Sequence, residues 1–116
     1  MDFYDFRDRF EAVESDYYYD EKFLRQNGDI LTEEAIEKLH NRNVERVVRQ
    51  CKEIENDVAG EYYGALESLV LSDGLRGETN SGRRFYYCGY EDLFNKLSNG
   101  GFEWWCIFNT SLLLDN

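Results

Sequence analysis

The chain has no proline, one histidine and three cysteines among its 116 residues. His40 lies among bases in a helical stretch, so it makes a poor partner for a nucleophilic serine or cysteine. Cys51, Cys88 and Cys106 lack the C-x-x-C spacing of a zinc site, and widely separated thiols in odd number predict reduced, buried cysteines. The glycine-rich phosphate loops, the nucleophile elbow and the EF-hand loop are also missing. These absences predict a protein that is not an enzyme and needs no metal or cofactor.

Long hydrophobic runs are missing as well. No stretch of the sequence approaches the ~20 apolar residues that a transmembrane helix needs. The first five residues contain neither the basic nor the apolar region of a secretory signal. We therefore expect a cytoplasmic protein that does not bind membranes.

Positive charge is scarce: 13 basic residues stand against 24 acidic ones, which gives a formal net charge of −11. This charge exceeds what solubility asks of a small domain, although a solvated acidic surface without function remains an alternative. It argues against direct binding of nucleic acid and predicts a basic partner. The charge is uneven, because two acidic regions flank the basic segment 38–52. Lys38, Arg42, Arg46 and Arg49 share one helix face there, and we expect carboxylates of the first helix to neutralise part of it.

Two rows of carboxylates dominate the acidic regions. Near the N-terminus acids recur every third residue, beside an apolar stripe with the spacing of a buried helix face. Like charges so close together cost helix stability, which suggests that the charge is used. A second row is spaced by four residues further along the chain. The members of both rows, all predicted to contact a partner, are Asp2, Asp5, Asp8, Glu11, Glu14, Asp16 and Asp20 in the first and Glu53, Asp57 and Glu61 in the second.

Aromatic residues are abundant, with nine tyrosines, eight phenylalanines and two tryptophans. Core packing explains most of them, but three adjacent tyrosines at 17–19 cannot all face inward from one helical turn. An exposed tyrosine suits a protein interface because its rigid ring covers area while its hydroxyl still forms hydrogen bonds. We expect Tyr18, Tyr19 and Tyr63 to be interface anchors.

The hydrophobic periodicity predicts a single α+β domain covering residues 1–116, with a helical N-terminal two-thirds packed on a small C-terminal β-sheet. One or two helices are expected over residues 2–25. A further helix is expected from Thr32, an N-cap, toward Leu71, with a kink or break at Gly60 and Gly64. A loop follows over 72–82. Residues 83–88, 102–108 and 112–114 are β-prone, and residues 91–98 form a short helix between the first two.

In size, acidity, carboxylate rows and lack of catalytic motifs, the chain resembles the DNA-mimic proteins of bacteria and phages. It is most similar to the small monomeric α+β type that occupies the DNA site of the histone-like protein HU. The resemblance covers the whole chain in character and involves no diagnostic motif. It implies an inhibitor whose carboxylates stand in for phosphates on the basic surface of HU or a similar DNA-binding protein.

Two other classes remain open. An immunity protein that neutralises a basic nuclease toxin would share the acidic surface and would bind through aromatic hot spots with weaker salt dependence. An anti-CRISPR inhibitor would fall between this class and the DNA mimic. An acidic adaptor domain whose charge serves solubility is the third possibility. The carboxylate rows favour the mimic, whereas the tyrosines favour a specific protein interface.

Overall fold

Four helices and one short β-ribbon make up the fold in a computed structural model that describes residues 1–72, 76–80, 82 and 84–99. The helices are α1 (Phe3–Gln26), α2 (Glu33–Ala59), α3 (Ala65–Ser72) and α4 (Tyr90–Ser98). Strands β1 (Arg76–Glu78) and β2 (Arg84–Tyr86) pair antiparallel between α3 and α4. Within the described ranges, no helix is long and apolar enough to cross a membrane.

The predicted α+β class is wrong, because the described part of the chain is predominantly helical. Its strand content is two segments of three residues, too short to form the layer on which the helices were expected to pack. β2 falls within the β-prone stretch 83–88, as predicted, whereas β1 lies in the stretch predicted as a loop. The strands predicted over 102–108 and 112–114 lie outside the described residues.

Local signals set the ends of the two long helices. Asp2 caps α1 by accepting a hydrogen bond from the Asp5 amide at 2.9 Å, and Thr32 caps α2 by accepting one from the Ala35 amide at 3.1 Å. α2 ends at Gly60, whose φ of 70° is the left-handed conformation that glycine adopts at helix C-termini. The predicted N-cap at Thr32 and the predicted break at the glycine are therefore confirmed.

The core lies where α1 and α2 pack against each other and against α3 and α4. α1 contributes the apolar stripe seen in its sequence, and all four helices bury at least two side chains. Burying aliphatic and aromatic side chains is the main favourable term in folding. The fully buried large apolar side chains are Phe6, Phe10, Val47, Cys51, Ile54, Leu66, Leu93 and Leu97.

One buried carboxylate holds the start of α3. Glu55, fully buried on α2, accepts hydrogen bonds from the backbone amides of Tyr63, Gly64 and Leu66 at 2.5, 3.1 and 2.8 Å. These amides precede or begin α3, where helical N–H groups have no partner within the helix. Burial raises the pKa of Glu55, and the amide hydrogen bonds offset part of that rise. Glu55 is thus the N-terminal cap of α3, supplied by another helix.

Candidate functional site

The N-terminal carboxylates do not form one straight row. Three residues turn an α-helix by about 300°, so a ladder with this spacing winds around the axis. Asp2 is the N-cap of α1, while Asp5, Asp8 and Glu11 face solvent and Glu14 reaches the half-buried edge of the helix. The outer face of α1 therefore presents the three middle members of the ladder.

Of the three acids that follow the ladder on α1, two have a basic partner on α2 and one does not. Asp16 is exposed and forms no ion pair with any described residue. Asp20 accepts a hydrogen bond from Arg46 of α2, and Glu21 lies 2.5 Å from Nδ1 of His40. The expectation that α1 carboxylates neutralise part of the basic segment is confirmed at Arg46.

The second row is interrupted. Glu53 is exposed, but Asp57 accepts a hydrogen bond from Arg9 of α1 at 2.7 Å. Glu61 lies beyond the end of α2 and accepts a hydrogen bond from the Tyr63 hydroxyl at 3.2 Å. The interpretation of Glu53, Asp57 and Glu61 as one helix face is therefore wrong, because the helix ends at Gly60.

Two of the three predicted aromatic anchors are exposed. Tyr18 and Tyr19 are 57% and 67% exposed, and their rings meet edge to face with centroids 6.0 Å apart. Tyr63 is only 7% exposed and belongs to the core, so its prediction as an interface anchor is wrong. A continuous α2 would have placed Tyr63 on its outer face. Because the helix ends at Gly60, the chain changes direction and Tyr63 enters the core.

A groove joins the exposed tyrosines to the acidic ladder. It has a volume of about 460 Å³ and runs along α1 toward the first residue of α4. Its carboxylates come from the ladder, and its far wall is a tyrosine that the sequence did not single out. The residues lining this acidic tyrosine groove are Glu11, Glu14, Ser15, Tyr18, Tyr19 and Tyr90.

Tyr90 closes the groove through a contact across 76 positions of the chain. Its hydroxyl donates a hydrogen bond to Oε1 of Glu14 at 2.6 Å. Desolvation raises the pKa of Glu14, the nearby Glu11 charge raises it further, and the Tyr90 hydrogen bond offsets part of the rise. No spacing pattern in the sequence could have indicated this pair, because it depends on how α4 packs on α1.

The basic segment of α2 keeps exposed charge. Lys38, Arg42 and Arg49 are exposed, and no carboxylate of the described residues lies within ion-pair distance of them. Lys52 lies 5.3 Å from the centroid of the Tyr62 ring, a cation–π contact. These cations do not reach the acidic tyrosine groove as ion-pair partners.

The two described cysteines lie in different environments, although the sequence predicted buried thiols throughout. Cys51 is buried, as predicted, but Cys88 is exposed, so the prediction of buried cysteines is wrong there; Cys106 lies outside the described residues. Among the residues that the structure places, no group of three or more His, Cys, Asp or Glu side chains is arranged to hold a metal ion.

Comparison with known proteins gives no further indication of function. No family model, no curated protein and no solved structure matches the chain. The features that indicate a function are therefore the acidic outer face of α1 and the acidic tyrosine groove.

Proposed function

We propose that this protein is a DNA mimic that occupies the DNA-binding surface of a basic DNA-binding protein, such as the histone-like protein HU, and excludes DNA from it. The observation that carries the proposal is the set of solvent-facing carboxylates on α1. Asp5, Glu11 and Asp16 form no ion pair with any described residue, and the one ion-pair partner of Asp8 is its neighbour Arg7 at 3.4 Å. These charges are available to an incoming cationic surface.

The energetics of such binding follow from the charge. A net charge of −11 attracts a basic surface and repels nucleic acid and other acidic proteins. Duplex DNA carries one phosphate charge per ~1.7 Å of axis, a density that carboxylates one helical turn apart only approximate. Lysine and arginine side chains are long and flexible enough to tolerate this difference. Association should be fast, electrostatically steered and weakened by salt.

The proposal includes the cellular setting of the molecule. The protein acts in the cytoplasm as a monomer, without cofactor and without catalysis. Of the sequence-predicted partner residues, Asp5, Asp8, Glu11 and Asp16 contact the partner directly. Asp20 and Asp57 instead pair with Arg46 and Arg9 across the contact between α1 and α2.

The test is a competition experiment with purified HU and labelled duplex DNA. The wild-type protein should release DNA from HU, with an apparent affinity that falls as salt rises. Changing Asp5, Asp8 and Glu11 together to lysine should abolish the release. The matched control carries the same charge change at three exposed acids elsewhere, namely Asp29→Lys, Glu37→Lys and Glu45→Lys.

The outcomes separate surface recognition from bulk charge. Loss of competition in the α1 variant and not in the control supports the α1 face as the mimic surface. Equal weakening in both variants would mean that only net charge matters. Failure of the wild-type protein to displace DNA at low salt overturns the proposal for HU.

A second candidate function is an immunity-type inhibitor of a nuclease, including an anti-CRISPR inhibitor. The observation that favours it is the exposed edge-to-face pair Tyr18 and Tyr19, since exposed tyrosines are typical anchors of tight protein interfaces. This function predicts a stoichiometric partner that high salt does not release and that DNA does not displace. A pull-down washed with high salt, then with duplex DNA, distinguishes the two functions.

A further inference from the structure

The two walls of the acidic tyrosine groove differ in how their side chains are held. Tyr90 is held in place because its ring packs edge to face on Phe10, with centroids 5.9 Å apart, while its hydroxyl donates to Glu14. Tyr18 and Tyr19 on the opposite side are more than half exposed. The groove is therefore preorganised on its α4 side, and its tyrosine pair on the α1 side is open to solvent.

The carboxylates of the groove have unused hydrogen-bonding capacity. Among the described residues Glu14 receives one hydrogen bond, from Tyr90, and an ionised carboxylate has about four acceptor positions. Glu11 lies three residues earlier on the same helix, a spacing that puts Cβ atoms ~5–6 Å apart. Within the described ranges no lysine or arginine forms an ion pair with either glutamate. The groove thus combines negative charge that no described side chain neutralises with exposed aromatic rings.

We infer that the acidic tyrosine groove receives an arginine side chain of a basic partner protein, with the guanidinium stacked on Tyr18 and hydrogen-bonded to Glu11 and Glu14. The groove complements a guanidinium in both charge and shape. A guanidinium is planar, offers five donors and stacks on aromatic rings, whereas an ammonium is a compact and strongly hydrated charge. Arginine therefore loses less hydration than lysine when it enters the groove, and a half-buried carboxylate beside tyrosine rings favours arginine.

This inference rests on the proposed function only in that the partner is a basic protein. It adds that recognition includes one specific side-chain type, whereas a mimic that acts through charge alone accepts lysine and arginine alike. It also explains why tyrosines lie within an otherwise electrostatic surface. The experiment can therefore be done without HU.

The probes are two synthetic peptides, one with four arginines separated by glycines and one with lysines in their place. Binding to the full-length protein is measured by calorimetry at low salt. We expect the arginine peptide to bind about tenfold more tightly, the size of effect that one desolvated cation–π contact with its hydrogen bonds produces. The Tyr18→Ala and Glu11→Gln variants should each remove most of this preference.

Matched controls are available on the same molecule. Tyr4→Ala removes another exposed α1 tyrosine that lies outside the groove, and Glu37→Gln removes an exposed glutamate of α2. Both should keep the preference for arginine. A heteronuclear NMR spectrum of each variant checks that the fold is intact.

Equal affinity for the two peptides in the wild-type protein overturns the inference, as does an arginine preference that survives Tyr18→Ala. Arginine preference with no displacement of DNA from HU would support the groove and reject HU as the partner. Displacement of DNA from HU without arginine preference would support the mimic and reject the groove. Failure of one proposal is therefore distinguishable from failure of the other.

Discussion

Arg9 on α1 donates a hydrogen bond to Asp57 on α2, with Nη1 and Oδ2 separated by 2.7 Å. This pair connects the two helices that carry the acidic rows, which are separate in the sequence. It also turns a carboxylate predicted to face a partner into one that contacts a neighbouring helix. Whether an exposed acid is available to a partner therefore depends on the side chains that lie beside it in the fold.

The Arg9–Asp57 pair should contribute little to stability. Both side chains are partly exposed, so solvent screens their attraction. We expect Asp57→Asn to lower the free energy of unfolding by no more than about 1 kcal/mol. Urea denaturation measures this, with Glu53→Gln one turn earlier as an exposed control that has no ion-pair partner among the described residues. A much larger loss would show that the pair orients the helices.

Glu55 should matter far more. The Glu55→Gln variant places an amide NH₂ where one carboxylate oxygen now accepts backbone hydrogen bonds. At least one buried N–H near the start of α3 then loses its acceptor, which costs about 1–3 kcal/mol. Urea denaturation of Glu55→Gln beside Glu45→Gln, an exposed glutamate of the same helix, tests this. Equal stability of the two variants would contradict the capping role.

Acid should stabilise the fold between neutral pH and the ordinary glutamate range. Burial raises the pKa of Glu14 and of Glu55 above the ordinary pKa of a glutamate, so the folded state binds more protons than the unfolded state. Their favourable contribution is complete below the unfolded pKa and is lost as pH rises through the folded pKa. Protonation also relieves the repulsion of an acidic chain.

We therefore expect the free energy of unfolding to rise as pH falls from 7 to about 5. Glu14→Gln should reduce this rise, because it removes one of the two groups while keeping an oxygen for Tyr90. Glu11 and Tyr87, both electrostatically coupled to this site, remain in that variant. Urea titrations at several pH values measure the slope, and an unchanged slope in Glu14→Gln would contradict the assignment.

Two glycines should differ in their tolerance of a methyl group. Gly60 and Gly64 both have positive φ, so alanine is strained at either position by about 1–2 kcal/mol. A Cβ at Gly60 meets nothing within 4 Å, whereas one at Gly64 would lie 3.2 Å from Cβ of Asn80. We expect Gly64→Ala to lower the thermal midpoint more than Gly60→Ala, and calorimetry of both variants tests this order.

The two described cysteines should react at very different rates. Cys51 is fully buried, and burial with nearby carboxylates raises the pKa of its thiol, so it is neither accessible nor readily ionised. Cys88 is exposed. In the native protein iodoacetamide should modify Cys88 and leave Cys51 intact until denaturant is added. Peptide mapping by mass spectrometry after a timed reaction identifies each site.

The helices could be predicted because their signals are local. The apolar stripe of α1, the cap at Thr32 and the glycine that ends α2 act within a few residues of where they occur. The error in fold class has the opposite origin. A β-prone stretch becomes a sheet only if other strands lie beside it, and β2 has a single described neighbour of three residues.

The sequence predicted only the part of the candidate site that depends on local signals. Exposure of Asp5, Asp8, Tyr18 and Tyr19 follows from the phase of one helix. The contact between Glu14 and Tyr90 depends on tertiary packing, which no spacing pattern contains. Local sequence thus indicated the outer face of α1 but not the groove beside it.

Because α3 receives its cap from Glu55 on α2, the two helices should open as one cooperative unit. The amides of Tyr63, Gly64 and Leu66 are protected from exchange with solvent deuterium only while the last turns of α2 remain wound. Their exchange rates should therefore match those of amides at the end of α2 and not those of an isolated eight-residue helix. The stability of α3 therefore depends on the last turns of α2.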